Sequence, residues 1–172
     1  MSPRLERVVL DSSVLLGANS PPIVAGAALG YYRTFWSPWI IAEYVRNRVE
    51  WTAERAARDG CTRAETVRRL EATRATVNSA ISYLSRVLAS IDYHAAPSVD
   101  LSWLADEDDH PIMQTALAAA ADTLVTDNTT DFPSGEERHG IVFLDSASFL
   151  ASVYASRPQI EAEVREYLAR RP

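Results

Sequence analysis

The stretch that most limits the fold is Asp106-Glu-Asp-Asp-His-Pro111, together with its continuation through Ile112 to Asp122 and Leu124-Val-Thr-Asp-Asn-Thr-Thr-Asp-Phe132. Acids crowd the first part. Pro111 to Ala121 predicts an Ala-rich helix with Ile112, Met113, Ala116, Leu117 and Ala120 on one face. Thr123 to Thr126 predicts a short buried strand, and Asp127 to Glu137 a loop carrying Asp127, Asn128 and Asp131. A helix delivered straight into an apolar strand is part of an α/β unit. Like charges crowded together repel, so a fold that gathers them usually supplies cations. The stretch therefore reads as half of a divalent-metal site, the other half coming from earlier in the chain.

Earlier segments alternate in the same way. Arg7-Val-Val-Leu-Asp11 reads as a buried strand ending in an acid. Ser12 to Ala18 looks helical, Asn19-Ser-Pro-Pro22 breaks it, and Ile23 to Tyr32 forms a second helix. Thr34-Phe-Trp36 is a candidate strand. Ser37-Pro38 signals a helix start, with Ser at the cap and Pro where its missing N–H costs nothing. Ile40, Ile41, Tyr44 and Val45 lie on one side of that helix, and Glu43, Asn47 and Glu50 point away. Residues 51–92 read as mostly helical and polar, broken at Gly60, with Thr62-Arg-Ala-Glu65 as a capping box. Val67, Leu70, Val77, Ile81 and Leu84 keep roughly helical spacing. This predicts a helical arm inserted at about 50–95. Tyr93 to Ser98 reads as loop, Gly140 to Leu144 as the last strand, and 146–155 and 158–170 as closing helices. The expected fold is α/β: one domain over 1–172, a parallel β-sheet flanked by helices, with its site at the carboxyl ends of the strands.

Charge distribution sharpens this. The net charge is -6, which argues against a simple electrostatic nucleic-acid binder. Residues 44–95 carry nine Arg against six acids, whereas 96–172 carry five Arg against fourteen acids. An acidic half facing an Arg-rich middle suits a metal site beside a phosphate-binding surface, although for any single Arg a solvated helix face is the commoner role. A single cysteine, Cys61, excludes an internal disulfide framework and points to a reducing cytoplasm. No apolar run approaches a membrane span, and the N-terminus lacks a signal-peptide pattern. His94, His110 and His139 lack zinc-ligand spacing. The aromatics between Tyr31 and Trp51 fit core packing, with some left to face a base.

Individually the acids have ordinary roles. Asp11 suits a helix cap, Glu43 a solvated face, and Asp127, Asn128 and Asp131 a turn. Jointly they say more. Asp11 ends a strand, Asp109 precedes a helix leading into a strand, and Asp127 to Asp131 follow that strand. All three places can fall at one edge of a parallel sheet. Mg²⁺ and Mn²⁺ take oxygen ligands, and two such ions activate water and stabilise the leaving oxygen of a phosphodiester.

At these residues the chain resembles the PIN-domain nucleases, especially VapC-like toxins of type II toxin–antitoxin systems, over most of its length. Val8-Val-Leu-Asp-Ser-Ser13 is similar to the family's first strand and acid, placing that acid on Asp11. Ser37 to Tyr44 is similar to the segment with the second acid, Glu43. Asp106 to Pro111 resembles the third-acid motif, matched at Asp109, and Thr126 to Pro133 the fourth, matched at Asn128 and Asp131. Asn128 stands where many members carry Asp, and 50–95 is longer and more helical than in the compact toxins. The resemblance implies a Mg²⁺- or Mn²⁺-dependent endoribonuclease, typically dimeric and neutralised by a small cognate antitoxin. Asp11, Glu43, Asp109 and Asp131 would hold one or two ions. Ser13, Asp106, Thr126, Asp127 and Asn128 would support them, and Arg46, Arg48 and Arg55 would grip RNA phosphates. A PIN-fold binding module without turnover, and a DNA-directed nuclease, stay open as alternatives.

Overall fold

β1 (Arg7–Leu10) buries Val8, Val9 and Leu10 completely and carries the sheet's centre. The computed structural model describes residues 4–170; 1–3 and 171–172 lie outside the described residues. β2 (Arg33–Trp36) and β4 (Thr123–Val125) pair in parallel with β1 on its two sides. β3 (Leu88–Ser90) extends the sheet beyond β2, and β6 (Ile141–Leu144) extends it beyond β4. β5 (Glu137–Arg138) adds an antiparallel edge, giving the order β3-β2-β1-β4-β6-β5. The expected parallel α/β sheet flanked by helices is found, with β5 as an antiparallel edge that the sequence does not predict. From β1 the chain builds outward first through β2 and later through β4. The crevice at the carboxyl ends of β1 and β4 is thus the switch point at which open α/β sheets place their sites.

The helices follow from their caps. α1 (Ser12–Leu16) starts at Asp11, whose carboxylate accepts the Ser12 N–H. α2 (Ser20–Ala28) begins with Pro21 and Pro22 inside its first turn, so these prolines open the second helix and do not merely break the first. It also ends before Tyr31 and Tyr32, earlier than expected. α3 (Pro38–Arg58) has Ser37 as its cap, and Ser37 Oγ also lies 2.8 Å from the Thr115 hydroxyl in a fully buried contact. That contact ties the start of α3 to α5 (His110–Ala118), which packs on β1 and β4. α4 (Arg63–Leu84) opens with the expected Thr62–Glu65 capping box and folds back on α3.

The helical arm is therefore a hairpin from Pro38 to Leu84, longer at its start than 50–95 and ending sooner. Within that expected range the chain returns to the sheet as β3, a strand the helical pattern does not predict. Val67 is exposed despite its helical spacing. Ala120 also departs from its expected apolar face: it is exposed at φ 44°, a left-handed residue that stops α5 as Ala121 N–H turns back to the Ala116 carbonyl. α6 (Ser146–Ser156) and α7 (Gln159–Ala169) pack with α2, closing the chain where two helices are expected. No helix among the described residues is long and apolar enough to cross a membrane.

Candidate metal centre

Asp11 is only 2% exposed, yet its carboxylate is well provided for. Oδ1 accepts the Ser12 N–H at 2.5 Å. Oδ2 accepts the Ser13 hydroxyl at 2.6 Å and the Thr126 hydroxyl at 2.8 Å. Each hydroxyl is itself aimed. The Asp127 N–H donates to Ser13 Oγ at 3.0 Å, and the Asn128 N–H donates to Thr126 Oγ1 at 3.1 Å. A backbone N–H only donates, so both hydroxyl hydrogens are left to point at Asp11. The turn after β4 thus fixes the acid after β1, with Ser13 and Thr126 as the groups that orient it.

Asp109, 7% exposed, ends the short 3-10 turn Glu107–Asp109 and stands at the N-cap of α5. Asp106 caps that turn through the Asp108 N–H, so its carboxylate is engaged locally. Asn128 bridges the remaining acids. Its side-chain amide donates to Asp131 Oδ2 at 3.1 Å and lies 3.3 Å from Asp109 Oδ2. Burial first, then Asp131, Asp106 and Asp11, pushes the Asp109 carboxyl up to about 7.

Glu43 reaches the same place from α3. Its side chain is 13% exposed: one turn on from buried Ile40, Glu43 looks onto the acids, whereas Glu50 further along the same polar side stays exposed. Ser12 Oγ donates to Oε2 at 3.4 Å, and Arg46 pairs with Oε1 at 3.3 Å. Burial, with Asp11 and Asp109 nearby, pushes its carboxyl up to about 7 against the pull of Arg46 and the Ser12 bond. Arg46, expected on phosphate, is half-exposed and pairs with Glu43 here.

Asp127 supports the turn from behind, its N–H on Ser13 and its carboxylate on α6. Its oxygens accept the Ser146 N–H at 2.9 Å and the Ser146 hydroxyl at 3.1 Å, fastening the site's turn to the start of α6. Asn19 also donates to Ser146 Oγ, at 2.9 Å. Sequence reasoning assigns no role to Ser12, Asn19 or Ser146. Ser12 beside Asp11 is the one visible signal, since a hydroxyl next to a strand-end acid is placed to reach a neighbouring carboxylate.

Among the described residues no three His, Cys, Asp or Glu side chains are grouped closely enough to hold a metal ion between them. The donors still fit a hydrated hard cation. All are oxygens, Asp109 is surrounded by Asn128 and other acids, and Mg²⁺ is held by one or two carboxylates while keeping most of its water. Asp11, Glu43 and Asp109 would hold it, with Asp131 reached through Asn128.

A linkage prediction comes from the two raised carboxyls. In the folded chain Glu43 and Asp109 keep their protons to about 7, while their ordinary values are 4.5 and 3.8. The folded state then binds more protons, so this contribution is fully present below the ordinary values and is lost as pH rises through about 7. Mg²⁺ competes for the ionised forms. Thermal melts should show Mg²⁺ raising Tm more at pH 8 than at pH 5.5; equal shifts would place the cation elsewhere.

Acids from separate elements thus gather at the switch point of an open α/β sheet, where such folds place their sites. A family model described as PIN domain matches residues 7–130, from β1 through the Asn128 turn. The chain belongs to the PIN-domain family, whose members are generally metal-dependent nucleases. Comparison with curated proteins and with solved structures found no match.

Proposed function

We propose that the protein is a Mg²⁺- or Mn²⁺-dependent endoribonuclease, the toxin of a toxin–antitoxin pair. The observation that carries the reading is the convergence of Asp11, Glu43 and Asp109, from three different elements, on one sheet edge, with two carboxyls titrating at about 7. A bound cation would supply a water of lowered pKa and charge stabilisation at the phosphate. The chain's own residues do the rest. Ser13 and Thr126 hold the Asp11 carboxylate in one orientation, so little rearrangement is needed on binding. Asn128 keeps Asp109 and Asp131 together by donating between them. Arg46 moderates the charge on Glu43.

The RNA preference and the toxin role rest on the likeness to VapC-like toxins, as do the homodimer and the cognate antitoxin proposed as partners, in a cytoplasmic setting. The test is direct. Purified protein is incubated with labelled single-stranded RNA and with DNA of the same sequence, in Mg²⁺, in Mn²⁺ and in EDTA. The expected result is endonucleolytic RNA cleavage that EDTA abolishes, with DNA left intact. Cleavage of DNA alone would support the DNA-directed reading, and binding without cleavage in either metal would leave a regulatory module. Growth arrest on expression, relieved by a small protein encoded beside it, would support the toxin role.

A further inference from the structure

The hairpin of α3 and α4 carries a groove that the metal centre does not use. Its volume is about 400 Å³. Arg48, Trp51, Thr52 and Arg55 stand at i, i+3, i+4 and i+7, one stripe of α3. Arg69, Ala72 and Thr73 form the facing stripe of α4. The Thr52 and Thr73 hydroxyls meet at 2.9 Å and join the two stripes, while Ala72 is too small to fill the space above. Trp51 is 50% exposed, the most exposed large apolar side chain among the described residues. A bare indole is costly on a surface unless something covers it.

The charges say what would cover it. Three arginines line the groove and no acid does. Arg69 pairs with Asp59, whose charge Arg55 also feels, whereas neither Arg48 nor Arg55 makes an ion pair of its own among the described residues. Unpaired guanidinium forks beside an exposed indole suit a phosphate backbone whose bases stack. Trp51 also lies on the helix that carries Glu43, eight residues further on, about 12 Å along its axis. A single strand with its scissile bond at the acids would have neighbouring nucleotides within reach of the groove.

We propose that this groove is a single-stranded nucleic-acid subsite, with a base stacked on Trp51 and flanking phosphates held by Arg48 and Arg55. The proposal rests on the nuclease reading and names where its substrate extends beyond the reacting phosphate.

The probe is a fluorescently labelled oligouridylate of about ten nucleotides, within the usual range of single-strand site sizes. Binding is measured by anisotropy, in EDTA, on the full chain carrying Asp109→Asn. Adding Trp51→Ala should weaken binding about tenfold, whereas Trp51→Phe, which keeps a ring, should stay within about threefold. Arg48→Ala with Arg55→Ala should lower the slope of log affinity against log salt by about 1.4. Trp51 is half-exposed, so the variants are expected to fold, and melting curves check this. Equal affinity with and without Trp51 would overturn the groove while leaving the nuclease reading intact. A wild-type chain that neither binds nor cleaves any oligonucleotide would sink both. If Trp51→Ala released an acidic protein partner and left oligonucleotide affinity unchanged, the groove would be a protein-docking site and the proposal wrong.

Discussion

Asp109→Asn should abolish metal-dependent cleavage and, in metal-free buffer, should make the protein more stable. The two effects have one cause. Asp109 is buried at a meeting point of acids, and Asn128 at 3.3 Å is a poor substitute for a cation. Burial and the neighbouring acids work against its charge, which is why its carboxyl titrates at about 7. Asn keeps the shape and removes the charge. Cleavage should fall at least about a thousandfold, roughly 4 kcal/mol of transition-state stabilisation. Tm above pH 7 should rise by roughly 2–4 °C for each kcal/mol of relieved repulsion in a chain this size. Relief should extend to Glu43, because Asp109 is one of the charges that raise it. A variant that stays active, or melts lower than the parent in EDTA at pH 8, would remove Asp109 from the metal centre. Function held against stability is the expected trade at such a site.

Much of this arrangement is legible in the chain because it rests on local signals. Val8-Val-Leu-Asp11 and Leu124-Val-Thr126 each end an apolar run in a polar residue, which marks both the buried strand and its exit. Ser37-Pro38 and Thr62-to-Glu65 are caps whose chemistry lies within four residues. What escapes is set by distance or by context. β3 is three residues with one buried side chain, and its apolar Leu88 continues the spacing of the helix before it. Only pairing with β2 makes it a strand. β5 is shorter still, exposed at both positions, and exists only as an edge against β6.

Asp127 adjoins Asn128 in the chain, yet the Asn128 side chain meets the acids while the Asp127 carboxylate supports the turn from its other side. Its partner, Ser146, stands at the start of another helix. Glu43 shows the same limit in reverse. A polar helix face is visible in the sequence, but whether it meets water or other acids depends on how α3 is docked. The buried Ser37–Thr115 contact helps to fix that docking, and it joins residues far apart in the chain.

Asp11→Asn should also abolish cleavage, but its effect on stability should have the opposite sign to that of Asp109→Asn. Asp11 is the better-accommodated acid. Three donors converge on it, and two of them, Ser13 and Thr126, have their remaining geometry fixed by the Asp127 and Asn128 amides. An Asn amide that keeps its oxygen on the Ser12 N–H must turn its NH₂ toward those two hydroxyls. Donor then faces donor. The hydroxyls can accept the amide through a second lone pair, and one can turn to the other at 3.4 Å, but at least one hydroxyl hydrogen loses its acceptor in a site that is 2% exposed. Leaving buried donors unsatisfied costs about 1–3 kcal/mol, which should outweigh the relief that the lost Asp11 charge brings to Glu43 and Asp109. Tm should therefore fall by several degrees in EDTA, where the Asp109 variant rises. Thr126→Val tests the same network without touching a charge. It removes one donor to Asp11 and the acceptor of the Asn128 N–H, so cleavage should drop about 10- to 100-fold and not vanish, the range for orienting groups behind metal ligands. Melting curves and initial rates on the three variants, side by side, separate the two kinds of acid. Opposite stability shifts with equal loss of cleavage would mark Asp11 as the fixed point of the centre and Asp109 as the charge held in place for the cation. Equal shifts would mean that one electrostatic effect governs both, and that the hydroxyl network around Asp11 has no part in organising the site.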